Sequence, residues 1–223
     1  MQKQWASFVA VILASVSLAG QSGSLSVDEI VSHLQKRYDT LDDFSADFQH
    51  TYAGGLLSTS NIEHGIVHVK KPGRWRFNYS TPENKSFICN GTSIYSYFPE
   101  DQQVILSQLP ANPRASPPAL FLSGVGNLRQ DFNVEIQETL TSNGQSLTLR
   151  LTPTVSSADY EFLVLTLNAE NYNIEIMATT DFQGGVSTYT FSNLQENTGL
   201  SDTFFEFDVP QDVEVIIDDS FTR

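Results

Sequence analysis

The sequence predicts an α+β chain, mainly β, in which one large antiparallel sheet curls over an amphipathic helix. Three observations carry this. Apolar residues recur at helical spacing over 27–41, a period of two takes over at Phe44 and returns to the end of the chain, and an Asn-Gly pair separates two aromatic stretches. The 223 residues suit one domain with a sizeable core.

Ser26-Val27-Asp28-Glu29 has the form of a capping box, in which the serine oxygen and the glutamate carboxylate satisfy amides left free in a first helical turn. Val27, Ile30, Val31, Leu34, Tyr38 and Leu41 then share one face, which must cover something. In the strands, Phe44, Ala46 and Phe48 alternate with Ser45, Asp47 and Gln49. Trp75, Phe77 and Tyr79 likewise alternate with Arg74, Arg76 and Asn78, so the aromatic row and the arginines take opposite faces. Asn90-Gly91, between KSFIC and TSIYSYF, predicts a two-residue hairpin turn with positive φ at both positions. Further strands are expected at 102–109, 130–137, 145–152, 160–168, 173–179, 186–192 and 204–209. SPPALFLSG, 116–124, has Pro near its start and Gly at its end and predicts a short second helix. A sheet this long twists and curls, and its concave side must be filled by side chains, a helix or a ligand. The helix at 26–41 is the obvious filler. On alternation alone, the aromatic row is ordinary core packing.

At the N-terminus, Lys3, the mostly apolar run Trp5 to Leu18 and Ser17-Leu18-Ala19 predict a secretory signal peptide over 1–20, cleaved after Ala19 or Gly20. Residues 21–223 then form a single domain outside the cytoplasm. The apolar run is shorter than the roughly 20 residues a membrane span needs. Gln21 follows Leu18-Ala19-Gly20 where a lipoprotein signal would have cysteine, so no thiol is present there for acylation. Cys89 is the single cysteine, which excludes an intramolecular disulfide, and its neighbours Phe87 and Ile88 mark it as a buried thiol.

The net charge of −14 argues against non-specific nucleic-acid binding. Catalytic signatures are missing: there is no G-x-S-x-G, no H-E-x-x-H and no phosphate loop. His64 and His68 fall in a strand-like stretch, which separates them by roughly 13 Å, too far to share an ion. The carboxylate pairs Glu100-Asp101 and Asp218-Asp219 read as solvated turns or tails. The expectation is a protein that is no enzyme, with no metal and no cofactor.

Three blocks, DFSADFQHTY, GIVHVKKPGRWRFNYSTPENKSFICNGTSIYSYFP and FFEFDVPQDVEVIID, resemble in that order the periplasmic outer-membrane lipoprotein carrier family of the LolA type. The similarity spans about 27–219. It implies an unclosed antiparallel half-barrel covered by helices, with an apolar cavity for lipoprotein acyl chains. It also implies a periplasmic chaperone that receives acylated lipoproteins from an inner-membrane ABC transporter and passes them to an outer-membrane receptor lipoprotein. Such a carrier works without covalent chemistry, approaches membranes only transiently and is expected to be a monomer. The alternative on the same half-barrel is a regulatory module that senses lipid or lipoprotein.

The resemblance makes Trp75, Phe77 and Tyr79 candidates to line the cavity, followed by Phe44, Phe48, Tyr95, Tyr97, Ile30 and Leu34. Lys71 stands where the family carries a basic residue, commonly arginine, before the motif proline, here Pro72, to hold the lid closed. Lysine offers a point charge in place of a planar fork. Arg74 and Arg76 are expected to face solvent or a partner.

Overall fold

The computed structural model describes residues 26–54, 62–109, 126–141, 145–155 and 160–218. The expected signal peptide at 1–20 and the expected helix at 116–124 lie outside the described residues.

Helix α1, Val27–Asp39, starts at the expected capping box: Glu29 N donates to Ser26 Oγ at 3.3 Å and Ser26 N to Glu29 Oε2 at 2.8 Å. Its inward face is Ile30, Val31, Leu34 and Tyr38, all buried. The strands are β1 (Asp43–Ala53), β2 (Ile62–Lys70), β3 (Arg74–Thr81), β4 (Lys85–Asn90), β5 (Ser93–Phe98) and β6 (Gln103–Gln108), then β7 (Phe132–Thr141), β8 (Gln145–Pro153), β9 (Phe162–Asn168), β10 (Ile174–Thr180), β11 (Val186–Glu196) and β12 (Glu214–Asp218). A one-turn helix α2, Leu128–Asp131, leads into β7.

Among the described residues, twelve strands form one sheet in the order β12-β6-β5-β4-β3-β2-β1-β11-β10-β9-β8-β7. Its two ends are different strands that do not pair, so the barrel is unclosed. Neighbours are antiparallel except β12, which lies parallel to β6. Parallel pairing requires a crossover. The chain supplies one by leaving β11 beside β1 in the middle of the sheet and running over the convex face, through the 3-10 turn Asp202–Phe205, to the free edge of β6.

The alternation read from sequence decides the faces. Trp75, Phe77 and Tyr79 are buried on the concave side with Phe44, Ala46, Phe48, Val67 and Val69. From the far half come the leucines of β8 and β9, at positions 147, 149, 151, 163, 165 and 167, each at most 5% exposed. Side chains of this kind contribute about 1.5–3 kcal/mol apiece when fully buried. Helix α1 packs against β7, and Arg129 of α2 reaches Ser32 Oγ and the Asp28 carbonyl of α1, both at 2.7 Å.

Two local expectations are corrected. The residues at 204–209 do not make a strand; they belong to the convex crossover, and the closing strand is Glu214–Asp218. The β4–β5 turn is displaced by one residue from the expected Asn-Gly centre. Its central residues are Gly91 and Thr92, only Gly91 has positive φ (+99°), and Asn90 Oδ1 closes the turn by accepting from Thr92 N at 3.1 Å and Ser93 N at 3.0 Å. Asparagine thus acts through its side chain.

Candidate functional site

The sheet curls enough to set β3 and β4 opposite β10 and β11 across a trough of about 340 Å³. One wall is Trp75, Phe77 and Tyr79 of β3 with Lys85 and Phe87 of β4; the other is Met177 and Thr179 of β10 with Ser187 and Tyr189 of β11. The volume falls in the range of small-molecule sites, about 300–1,000 Å³.

Between the walls the Phe48 ring lies over β2. This is possible because residue 65 is glycine: a Cβ there would sit 2.6 Å from Phe48 Cζ and 2.2 Å from the Asn78 carbonyl oxygen. The rings then meet at edge-favouring angles, Phe48 with Tyr79 at 4.8 Å and with Tyr189 at 5.7 Å, and Trp75 with Phe77 at 5.8 Å between centroids. The result is broad apolar area with little directional demand.

One end of the trough is polar. Glu63 Oε1 is 2.5 Å from Lys85 Nζ, and Glu63 Oε2 is 2.8 Å from His50 Nδ1. His50 Nε2 meets Ser187 Oγ at 2.8 Å, its ring stacks on Tyr189 at 4.3 Å, and the Tyr79 and Tyr189 hydroxyls are 2.9 Å apart. Burial raises the pKa of both phenols and lowers that of His50, so all three favour their uncharged forms. Burial works against the Glu63 carboxylate, but its hydrogen bonds from Lys85 and His50 prevail and hold its pKa below the usual range.

The other candidates separate by position. Phe48 is 2% exposed and packs beneath the trough against Phe77, Tyr79 and Tyr189 without lining it, whereas Phe44 packs edge-on to Tyr38 at 6.4 Å and borders a smaller cleft of about 130 Å³. Ile30 and Leu34 are 1% and 0% exposed, part of the packed core and not of the trough wall. Tyr95 and Tyr97 are corrected: they pair with Ile88 and Ser86, residues on the Arg76 side of the sheet, and pack on Phe207 of the crossover at 5.5 and 5.3 Å. Aromatic alternation in β5 therefore serves half-buried packing on the convex face. Cys89 is buried, donates to the Gly73 carbonyl at 3.3 Å, and burial raises its thiol pKa.

The basic cluster also finds its partners. Arg74 and Arg76 do lie opposite the aromatic row, but the expected solvent or partner is the chain's own crossover. Arg76 donates to the Phe204 carbonyl at 3.1 Å, Arg74 is 3.6 Å from Asp202, and Lys70 contacts both Asp202 at 2.5 Å and the Leu200 carbonyl at 2.6 Å. Lys71 instead turns toward the helix and donates to the Tyr38 carbonyl in the last turn of α1, while Pro72 follows in the turn to β3. Sequence reasoning missed His50, Lys85, Phe87, Met177, Thr179, Ser187 and Tyr189. Residues 177/179 and 187/189 do show period two, but only the long-range fold says that their face meets β3.

Among the described residues, no group of three or more acidic, histidine or cysteine side chains is arranged to hold a metal. Nor is any helix there long and apolar enough to cross a membrane.

Residues 39–208 match the family described as "Outer membrane lipoprotein carrier protein LolA". An outer-membrane lipoprotein carrier protein of Haemophilus influenzae (strain PittEE) is 30% identical over 204 residues, covering 91% of this chain and 93% of that one. Its counterpart in Pseudomonas aeruginosa (strain UCBPP-PA14) is 28% identical over 210 residues, covering 94% and 96%. In fold, the chain is similar to a crystal structure of an uncharacterized conserved protein from Thermus thermophilus, with TM-score 0.54, 13% identity and coverage of 86% and 98%. It is likewise similar to an outer membrane lipoprotein-sorting protein domain from Vibrio parahaemolyticus, with TM-score 0.50, 13% identity and coverage of 80% and 95%. The unclosed sheet and the matched span agree, and the chain belongs to the outer membrane lipoprotein carrier protein LolA family.

Proposed function

We propose that this protein is a periplasmic chaperone that takes the acyl chains of lipoproteins released from the inner membrane into the aromatic trough and delivers them to the outer membrane. The observation that carries this reading is the trough itself: about 340 Å³ of aromatic-walled space left open on the concave face of a member of this family. Exposing one long acyl chain to water costs on the order of 10 kcal/mol at about 0.8 kcal/mol per methylene. A carrier offsets that cost by area, without covalent chemistry. Its partners on this reading are an inner-membrane ABC transporter as donor and an outer-membrane receptor lipoprotein as acceptor, and it works as a monomer. The Lys71 contact with the end of α1 supports a role for that lysine in place of the family's arginine, fastening the helix that covers the concave side.

Trp75 provides the test. The chain has two tryptophans, and Trp5 precedes the expected cleavage site, so a Trp5→Phe background isolates Trp75 in any preparation. Titration with a triacylated lipopeptide carrying brominated chains should give saturable quenching, and the unacylated peptide none. Equal behaviour of the two would reject the trough as the acyl site. Release of lipoproteins from spheroplasts by the same protein then reports carriage as opposed to binding alone.

A further inference from the structure

The polar end of the trough has a charge balance that an acyl site does not require. Among the described residues, Lys85 is the one lysine or arginine on its walls, and its charge is already met by Glu63 at 2.5 Å. The second Glu63 oxygen is taken by His50 at 2.8 Å. These groups are half-buried, with side chains 15–20% exposed, so the pairing is less screened than on an open surface. The other polar groups on the lining side chains are the hydroxyls of Thr179, Ser187, Tyr79 and Tyr189, the His50 ring and the Trp75 indole N–H, none of them anionic or permanently charged.

An anionic head group entering here would meet the Glu63 carboxylate as well as the Lys85 ammonium, and would have to displace one to use the other. Like charge beside a partly desolvated site is costly. The basic residues suited to a phosphate, Lys70, Arg74 and Arg76, lie on the opposite face and are engaged by the crossover. Hydroxyl donors, by contrast, suit the carbonyl and hydroxyl oxygens of an uncharged ester or amide.

We propose that the Glu63–Lys85 pair makes this end of the trough selective for uncharged acyl-ester or acyl-amide head groups and turns away acyl phosphodiesters. The inference rests on the acyl-carrier reading and adds to it a discrimination: the protein accepts acylated glyceryl-type heads while declining the phospholipids that surround them in a membrane. Glu63 acts as a gate against anions, and Lys85 is held so that it does not attract them.

The test uses the Trp5→Phe protein and two single-chain probes with the same dibromostearoyl tail, a monoacylglycerol and a lysophosphatidylglycerol, each below its micelle concentration. Half-quenching of Trp75 should need at least fivefold less of the neutral probe, equivalent to about 1 kcal/mol. Glu63→Gln should erase or invert that ratio by freeing Lys85, and Glu63→Gln with Lys85→Gln, which removes the attracting ammonium as well, should return a preference for the neutral probe that is smaller than in wild type because the repelling carboxylate is also gone. Because the ratio is taken within each variant, a partial loss of folded protein moves both probes together. Equal quenching of wild type by the two probes, or an unchanged ratio in Glu63→Gln, overturns the selectivity while leaving the carrier reading standing. Quenching by neither probe removes both.

Discussion

The two halves of the sheet are built differently. In the β8–β9 half, the concave positions are leucines that are 0–5% exposed and closed over with the buried face of α1 into a dry core. In the β3–β4 half and facing it on β10–β11, the equivalent positions are mostly aromatic, and they leave about 340 Å³ unfilled. Leucines interdigitate and seal, whereas large rings held at edge-to-face angles leave gaps between them. The open half gains its support from behind: the crossover after β11 buries Phe205 completely and ties Lys70, Arg74 and Arg76 on the convex side. One sheet thus supplies its stability from one half and its cavity from the other.

The strongest way to break this comparison is to cut the sealed half. Leu165→Ala removes a side chain that is fully buried, and cavity-forming substitutions of this kind cost about 2–5 kcal/mol. Urea unfolding should show a loss in that range, while the acyl-probe affinity of the protein that stays folded is unchanged. An affinity loss matching the stability loss would mean that the halves are not separable.

The backing of the open half is tested at Asp43. This buried carboxylate accepts from Thr198 N and Thr198 Oγ1 at 2.8 and 3.0 Å and from Gly199 N and Leu200 N at 3.0 and 3.2 Å, pinning the start of the crossover. Burial opposes its charge, but these hydrogen bonds prevail and its pKa is lowered. A carboxyl whose folded pKa lies below its unfolded value, about 3.9, stabilises fully above that value and loses the contribution as pH falls through the folded one. Asp43→Asn should therefore cost about 2 kcal/mol at pH 7. The gap between variant and wild type should close below about pH 4. A gap that persists in acid would assign the effect to packing.

The open half itself is sharpened by Phe87→Ala. Phe87 is only partly buried and stands on the trough wall, so its loss should weaken acyl-probe binding about tenfold, roughly 1.4 kcal/mol. That is a fraction of what a fully buried phenylalanine contributes. The unfolding midpoint should move less than in Leu165→Ala.

Much of this division is legible in the sequence, and the remainder has a physical reason for being hidden. The capping box, the face of α1 and the opposition of Trp75, Phe77 and Tyr79 to Arg74 and Arg76 follow from local periodicity, which the fold obeys. Periodicity gives two faces but does not say which of them is concave. Tyr95 and Tyr97 fall on the side opposite to the one expected because their strand's phase is fixed by pairing with β4 and by Phe207, more than a hundred residues later. The far wall of the trough and the Glu63–Lys85–His50 cluster join five strands, β1, β2, β4, β10 and β11, so no short window contains them. The use of the basic cluster is hidden for the same reason, since its carbonyl and carboxylate partners come from the crossover.

The smallest expected effect lies where α1 meets the sheet. Lys71 donates to the Tyr38 carbonyl, a last-turn acceptor that also receives Leu41 N at 3.1 Å and whose place at the helix C-terminus favours a cation. Burial pulls its pKa down against the pull of Asp39 and Asp42, so desolvation offsets part of the gain. Lys71→Met keeps the apolar stem and removes the donor; it should cost about 1 kcal/mol and speed amide exchange in the last turn of α1, with the leucine strands unaffected. Lys71→Arg, which restores a donor, should recover most of the protection. If both variants exchange like wild type, the contact does not fasten the helix, and α1 is held by its buried face and by its other ties, Arg37 with Glu196 and Asn173 and Arg129 with Ser32 and Asp28.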